Sequence, residues 1–228
     1  MSEESYQGSL FYGLPINTKH SMSERYLDRA HTVYRDAVSR YSKVFMFHAT
    51  LRFPLDYQDK LGNVITAFTR SLRERIQRDL DRKSLRVARV HHTDLHYVWC
   101  REVSDNHREH YHVMVMLNAN TYRALGSFSE SIQNQLASMI RLSWASAIGI
   151  SPDRVRGLVH FASDVQLISA RQIPAEYQST KYNTCGNSYE AGFFWLSYLC
   201  KLSTKEREIG KRNFGYSSIN QKGRVALF

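Results

Sequence analysis

Tyr97-Val-Trp-Cys-Arg-Glu-Val103 and His110-Tyr-His-Val-Met-Val-Met-Leu117 decide the fold. Both runs are rich in aromatic and β-branched residues, so both read as strands. The polar segment Ser104–Glu109 joins them, which predicts an antiparallel hairpin. Along a strand, residues i and i+2 share a face. If Glu102 pairs with His110, then Cys100, Glu102, His110, His112 and Met114 line one face. Arg101, Tyr111, Val113 and Val115 take the other.

Working outward, the chain supplies helices to cover such a sheet. Ser23 is placed to cap a helix over about Glu24–Tyr41, with Tyr26, Ala30, Val33, Ala37 and Tyr41 on one stripe. Val44–Phe53 reads as a strand stopped by Pro54. Asn63 to about Arg82 is helical, with Ile65, Phe68, Leu72, Ile76 and Leu80 at helical spacing. Ser129–Ile148 is a further helix, closed by Gly149. Strands are predicted at Gly157–Ala162 and Val165–Ile168, a loop over 170–188, and a helix from Glu190 to about Lys205. The first 22 residues and the basic tail read as irregular. The order predicts an α+β fold: a central antiparallel sheet with helices packed on its faces. The organisation expected is an N-terminal arm and helix (1–42), one domain (43–217) and a basic tail (218–228).

Composition narrows the class. The chain has 228 residues, 43% hydrophobic, 12% aromatic and 23% charged, which excludes general disorder. No window approaches the roughly 18 uninterrupted apolar residues of a membrane span. The N-terminus is acidic and polar, unlike a secretory leader. Cys100, Cys185 and Cys200 are far apart and form no CxxC, so neither a disulfide framework nor a cysteine zinc site is expected, and a cytoplasmic location fits. Thirty-one Lys and Arg against 21 Asp and Glu give +10, a balance that favours polyanions such as nucleic acid. No Gly-rich phosphate loop and no Gly-x-Ser-x-Gly elbow is present, which leaves an attached ATPase and a serine hydrolase without support.

Two features carry chemistry. His110 and His112 project side by side and can share one cation, with Glu102 as the acidic third ligand. Two imidazoles and a carboxylate suit Mg²⁺ or Mn²⁺ bound together with a phosphate, though zinc also accepts them. A bare His-x-His is often only a surface stripe; the matching acid and the apolar strand behind it raise its value. On the last helix, Tyr198 and Lys201 are i and i+3 and share a face, with Lys205 one turn further. A tyrosine beside ammonium groups and a metal is a candidate nucleophile, because cations stabilise charge on its oxygen.

Other groups carry less weight. His91-His92-Thr-Asp94-Leu-His96 is dense in metal-type ligands but precedes the hairpin. His107 sits in the turn, and His48 lies on the first strand with its face set by register. Arg70, Arg73, Lys83 and Arg86, on and after the arginine-rich helix, are candidates for DNA phosphate contacts, as is Lys205. Arg207, Lys211, Arg212, Lys222 and Arg224 extend the basic tail. Tyr182, Tyr189 and Tyr216 are candidate stacking platforms for single-stranded DNA.

Together, His-hydrophobic-His on a strand, an acid on its neighbour and Tyr-x-x-Lys on a later helix resemble the HUH endonuclease superfamily. The run from Tyr97 through Glu102, His110–Asn118, Leu125-Gly126 and Trp144 to Ser197-Tyr-Leu-Cys-Lys201 is similar to the inovirus-type replication proteins of phages and prophages. The likeness covers roughly residues 40–217. It implies a Rep-nuclease fold with an RRM-like core and rolling-circle initiation. It gives His110, His112 and Glu102 the role of metal ligands, Tyr198 that of nucleophile, and Lys201 that of its companion. The implied partners are single-stranded DNA at a replication origin and a host helicase and polymerase in a bacterial cytoplasm. One departure is Phe194, where some phage initiators resemble a two-tyrosine arrangement. A catalytically inactive DNA-binding regulator and a single-strand transposase are the alternatives on the same fold.

Overall fold

The computed structural model describes residues 5–57, 63–104, 108–126, 135–169, 188–205 and 211–218. Its elements are β1 (Ser5–Tyr6), β2 (Leu10–Phe11), β3 (Leu14–Pro15), β4 (Met22–Ser23), α1 (Glu24–Arg40), β5 (Val44–Arg52), α2 (Val64–Ser84), β6 (His96–Val103), β7 (Glu109–Asn118), α3 (Leu136–Ile148), β8 (Val159–Ile168), α4 (Ser188–Ser197) and β9 (Phe214–Tyr216). Five strands form one antiparallel sheet in the order β8-β5-β7-β6-β9. The β6–β7 hairpin has the expected register, with Glu102 opposite His110.

Side-chain alternation divides the core into two layers. Phe45, Phe47, Trp99, Tyr111, Val113 and Val115 face α2 and α3 and pack on Phe68, Leu72, Ile140 and Trp144. Val44, Met46, Val98, Cys100, Met114 and Met116 face α1 and α4 and pack on Leu27, Val33, Tyr34, Phe193 and Leu196. The helix of the N-terminal arm is thus built into the domain. Ser23 caps it, its hydroxyl accepting from the Tyr26 amide. Gly149 ends α3 at φ 70, a left-handed conformation that costs glycine little.

Four expectations need correction. The last helix stops at Ser197 rather than near Lys205; Tyr198–Cys200 continue as a 3-10 turn. The cause is non-local: Lys201 bridges to Met22, and the Leu202 amide donates to Ser21 O at 2.8 Å. The two strand segments expected over 157–168 are one strand, with a register irregularity opposite Phe47 and Ala49. The tail adds β9 to the sheet edge, and residues before Ser23 form short two-stranded pairs. His107, residues 129–134, the 170–187 loop with Tyr182 and Cys185, and Arg207, Lys222 and Arg224 lie outside the described residues. Among the described residues no helix is long and apolar enough to cross a membrane.

Gly192 is where α4 meets α1. A Cβ there would fall on the Tyr34 hydroxyl and 2.7 Å from Ile168 Cδ1. That hydroxyl donates to Tyr189 O at 2.7 Å, so it is not free to swing away. Alanine gains about 1 kcal/mol of helix propensity, whereas overpacking a core costs about 1–3 kcal/mol. Gly192→Ala should therefore lower the thermal midpoint. His31 provides a second test. Burial, then the charge of Arg35, push it down to about 4. Below its unfolded value of about 6.5, the unfolded chain binds a proton that the folded chain refuses, so stability falls between there and about pH 4. Urea midpoints at pH 7 and pH 5 should differ less in His31→Phe than in the parent protein.

Candidate metal and tyrosine site

Three strands converge where the hairpin is read to carry its ligands. In β7, His112 lies between Thr50 of β5 and Cys100 of β6, and His110 lies between Arg52 and Glu102. His110 Nε2 and His112 Nε2 are 3.1 Å apart, and His112 Nε2 is 3.5 Å from Glu102 Oε2. One ligand atom from each of Glu102, His110 and His112 lies within 4.8 Å of the others. Donors bound at roughly 2.1 Å on adjacent positions of one cation stand about 3 Å apart, so the donor set and its spacing fit a divalent ion. Burial, then the neighbouring His112, lower His110 and favour the neutral imidazole that a metal requires.

The far side of His112 is also occupied. Its Nδ1 is 2.9 Å from His48 Nε2 and 3.3 Å from Thr50 Oγ1. The two rings stack with centroids 5.0 Å apart, and Trp195 stands edge-on to His48. If Nε2 of His112 is the ligating atom, Nδ1 carries the proton and needs an acceptor. Burial, then His112, push His48 down to about 3, so it is neutral and its Nε2 can accept. The sequence left the face of His48 open; pairing of β5 with β7 turns it toward His112. Thr50, at the end of the apolar strand that resembles the superfamily's first motif, shares that face, as does Arg52, which no local motif marks. Arg52 is exposed beside His110 at the strand end.

The tyrosine reaches the same place through one lysine. Lys201 Nζ donates to the Tyr198 hydroxyl at 2.7 Å and lies 3.1 Å from Glu102 Oε2. It also stands 4.1 Å from the centre of the Tyr198 ring. Lys201 is only 4% exposed, so this ion pair is shielded from water. Burial works against the Lys201 ammonium, but Tyr198 and Glu102 outweigh it and raise its pKa. Burial likewise works to raise the Glu102 carboxyl, but the hydrogen bonds and charges of His112 and Lys201 hold it well below the usual carboxylate range.

Tyr198 and Lys201 therefore meet across a 3-10 turn and not along a continuous helix. Lys205 is not one helical turn further; its ammonium bonds back to the Lys201 carbonyl. The basic residues of α2 are not brought to the site. That helix covers the opposite face of the sheet, where Arg70, Arg73 and, just after it, Arg86 are exposed. Lys83 is held by buried Asp79 at 2.8 Å. The His92 and His96 cluster does not gather: His92 pairs with Asp94 and His96 with Asp36. Tyr189 stacks on Tyr34 within the α1–α4 contact, and Tyr216 is 40% exposed on the edge strand.

The family described as the YagK/YfjJ C-terminal domain matches residues 10–217. The chain belongs to this family. The match runs from β2 to the residue after β9, so it takes in both α1 and the site. Among curated relatives, the uncharacterised Escherichia coli (strain K12) protein YagK is 28% identical over 190 residues, 79% of this chain and 86% of YagK. YfjJ of the same organism, also uncharacterised, is 27% identical over 203 residues, 84% of this chain and 93% of YfjJ. No solved structure matches.

The His48 contact yields a measurable consequence. Loss of an outer partner of a ligating histidine typically lowers metal affinity by about 10–100-fold. His48→Phe should weaken Mn²⁺ binding in calorimetry by that factor, and His110→Ala together with His112→Ala should abolish it.

Proposed function

We propose that the protein is a metal-dependent, tyrosine-type DNA endonuclease of HUH type that nicks and rejoins single-stranded origin DNA to initiate rolling-circle replication of a phage or related mobile element. One observation carries the reading: a single buried ammonium, that of Lys201, touches both the Tyr198 hydroxyl and the Glu102 carboxylate. These three residues are the groups that the reaction needs together. The element order β5-α2-β6-β7-α3-β8, with strands in the order β8-β5-β7-β6, is the split β-α-β pattern and supports the RRM-like core of that superfamily.

In this reading Glu102, His110 and His112 hold Mg²⁺ or Mn²⁺, which when bound polarises the scissile phosphate and offsets the charge that develops on it. The chain's own residues do the rest. The Tyr198 oxygen attacks phosphorus, forming a phosphotyrosyl bond as the bond from phosphorus to the 3′ oxygen breaks. The phenol gives up its proton and the departing 3′ oxygen gains one, leaving a free 3′-hydroxyl and a 5′-phosphotyrosyl link. Lys201 donates to the phenol oxygen, which leaves the phenol's own proton free to depart and stabilises negative charge at that atom. Attack of a 3′-hydroxyl on the link reverses the bonds and rejoins the strand. Exposed Arg52 beside His110 is suited to a phosphate of the bound strand. Lys205, just after the Tyr198 turn, is placed for a phosphate near the site, whereas Arg70, Arg73 and Arg86 lie across the sheet and can meet only phosphates of DNA that extends beyond the site; a bacterial host supplies helicase and polymerase.

The test is a denaturing gel of purified protein with labelled single-stranded DNA, including the element's own origin, and Mn²⁺. A covalent protein–DNA band is expected, joined through the 5′ phosphate and absent in Tyr198→Phe. Lys201→Met should form the band about 10²–10³-fold more slowly, the usual effect of removing one donor to developing charge. A band that survives in Tyr198→Phe, or no band with binding intact, overturns the reading.

A further inference from the structure

The N-terminal segment before α1 lies against the Tyr198 turn. The Asn17 amide donates to Ser197 Oγ at 2.9 Å, and Ser197 is fully buried. The Leu202 amide donates to Ser21 O at 2.8 Å, and Met22 bridges to Lys201. These links bracket Tyr198 on both sides in sequence. The N-terminal segment is anchored from behind as well: Met22 is 1% exposed and pairs with Tyr6, and Ser23 caps α1. Between the links stands His20. Its ring meets that of Tyr198 edge to face, with centroids 5.7 Å apart and planes at 71°.

From this arrangement we infer that His20 is a positioning residue for the Tyr198 nucleophile, and that the segment Asn17–Met22 is a working part of the site. The inference rests on Tyr198 acting as nucleophile. Tyr198 is half-buried and opens the short 3-10 turn that follows α4, where the tighter helix has poorer hydrogen-bond geometry than an α-helix. Lys201 fixes the phenol oxygen and lies on the ring. The ring also packs on the α1–α4 layer, and His20 meets it from the N-terminal side, where it limits the ring's tilt. An edge-to-face pair holds both distance and tilt. Misplacing a reacting atom by about 1 Å costs about 10²-fold in rate, so a small relaxation of the ring is enough to matter.

His20 acts through Tyr198 and not on the DNA, which separates rate from binding. In His20→Ala, covalent-adduct formation at saturating oligonucleotide should slow about 10–100-fold, while oligonucleotide affinity by fluorescence anisotropy and the thermal midpoint stay unchanged. His20→Phe keeps the ring edge and should recover most of the rate. Unchanged adduct formation in His20→Ala, beside a parent protein that reacts, overturns the positioning role and leaves the nucleophile in place. Equal slowing in His20→Ala and His20→Phe also overturns it, since the ring nitrogen would then be what counts. No adduct from the parent protein, or a band that persists in Tyr198→Phe, removes the nucleophile reading and the positioning role with it.

Discussion

Pairing of β7 with β5 on one side and β6 on the other holds the site together. It sets Arg52, His110 and Glu102 in one row across the sheet, and Thr50, His112 and Cys100 in the next. Side chains alternate along a strand, so a slip of one residue would turn both histidines into the layer under α2 and α3 and bring Tyr111 and Val113 to the site. The register is secured by what lies on that other face. Tyr111, Val113 and Val115 are buried against α2 and α3, and each would be forced toward solvent or the ligand cluster by a slip. The apolar face thus fixes where the polar face presents Glu102, His110 and His112.

The charged groups at the site are costly to bury, and their arrangement reflects that. Glu102 and Lys201 are each about 5% exposed by side chain and lie 3.1 Å apart. Such a pair recovers its lost hydration only when both members find further partners. Glu102 accepts from the Cys100 thiol and approaches His112; Lys201 donates to Tyr198. A pair of this kind adds little to stability compared with packed hydrophobic side chains. In the α1–α4 layer it joins the Tyr198 hydroxyl to the Glu102, His110 and His112 cluster, a link that hydrophobic side chains could not make.

Much of this was legible along the chain because the signals were local. Alternation in Tyr97–Val103 and His110–Leu117 carried the hairpin and put Glu102, His110 and His112 on one face. Helical periodicity carried α1 and α2, and Ser23 and Gly149 marked helix ends through their own backbone and side-chain chemistry. The misreadings share a cause. Residues 198–205 continue a helical pattern, but the backbone at Lys201 and Leu202 is claimed by Met22 and Ser21, almost the whole chain away. Phe214–Tyr216 is too short to announce itself, and it becomes a strand only because β6 offers a free edge.

The sequence by itself determined the class of fold, the hairpin, the shared face of the ligand triad, and the residue types able to hold a cation beside a tyrosine. These follow from spacing along one strand or one turn, where backbone geometry alone dictates direction. Tertiary structure decided the rest: that His48 stands behind His112, that Lys201 also reaches Glu102, that His20 abuts the tyrosine, and that the arginines of α2 lie across the sheet from it. Each of these joins segments far apart in the chain. Their meeting depends on which faces are buried together, and hydrophobic burial has no direction until the layers have packed.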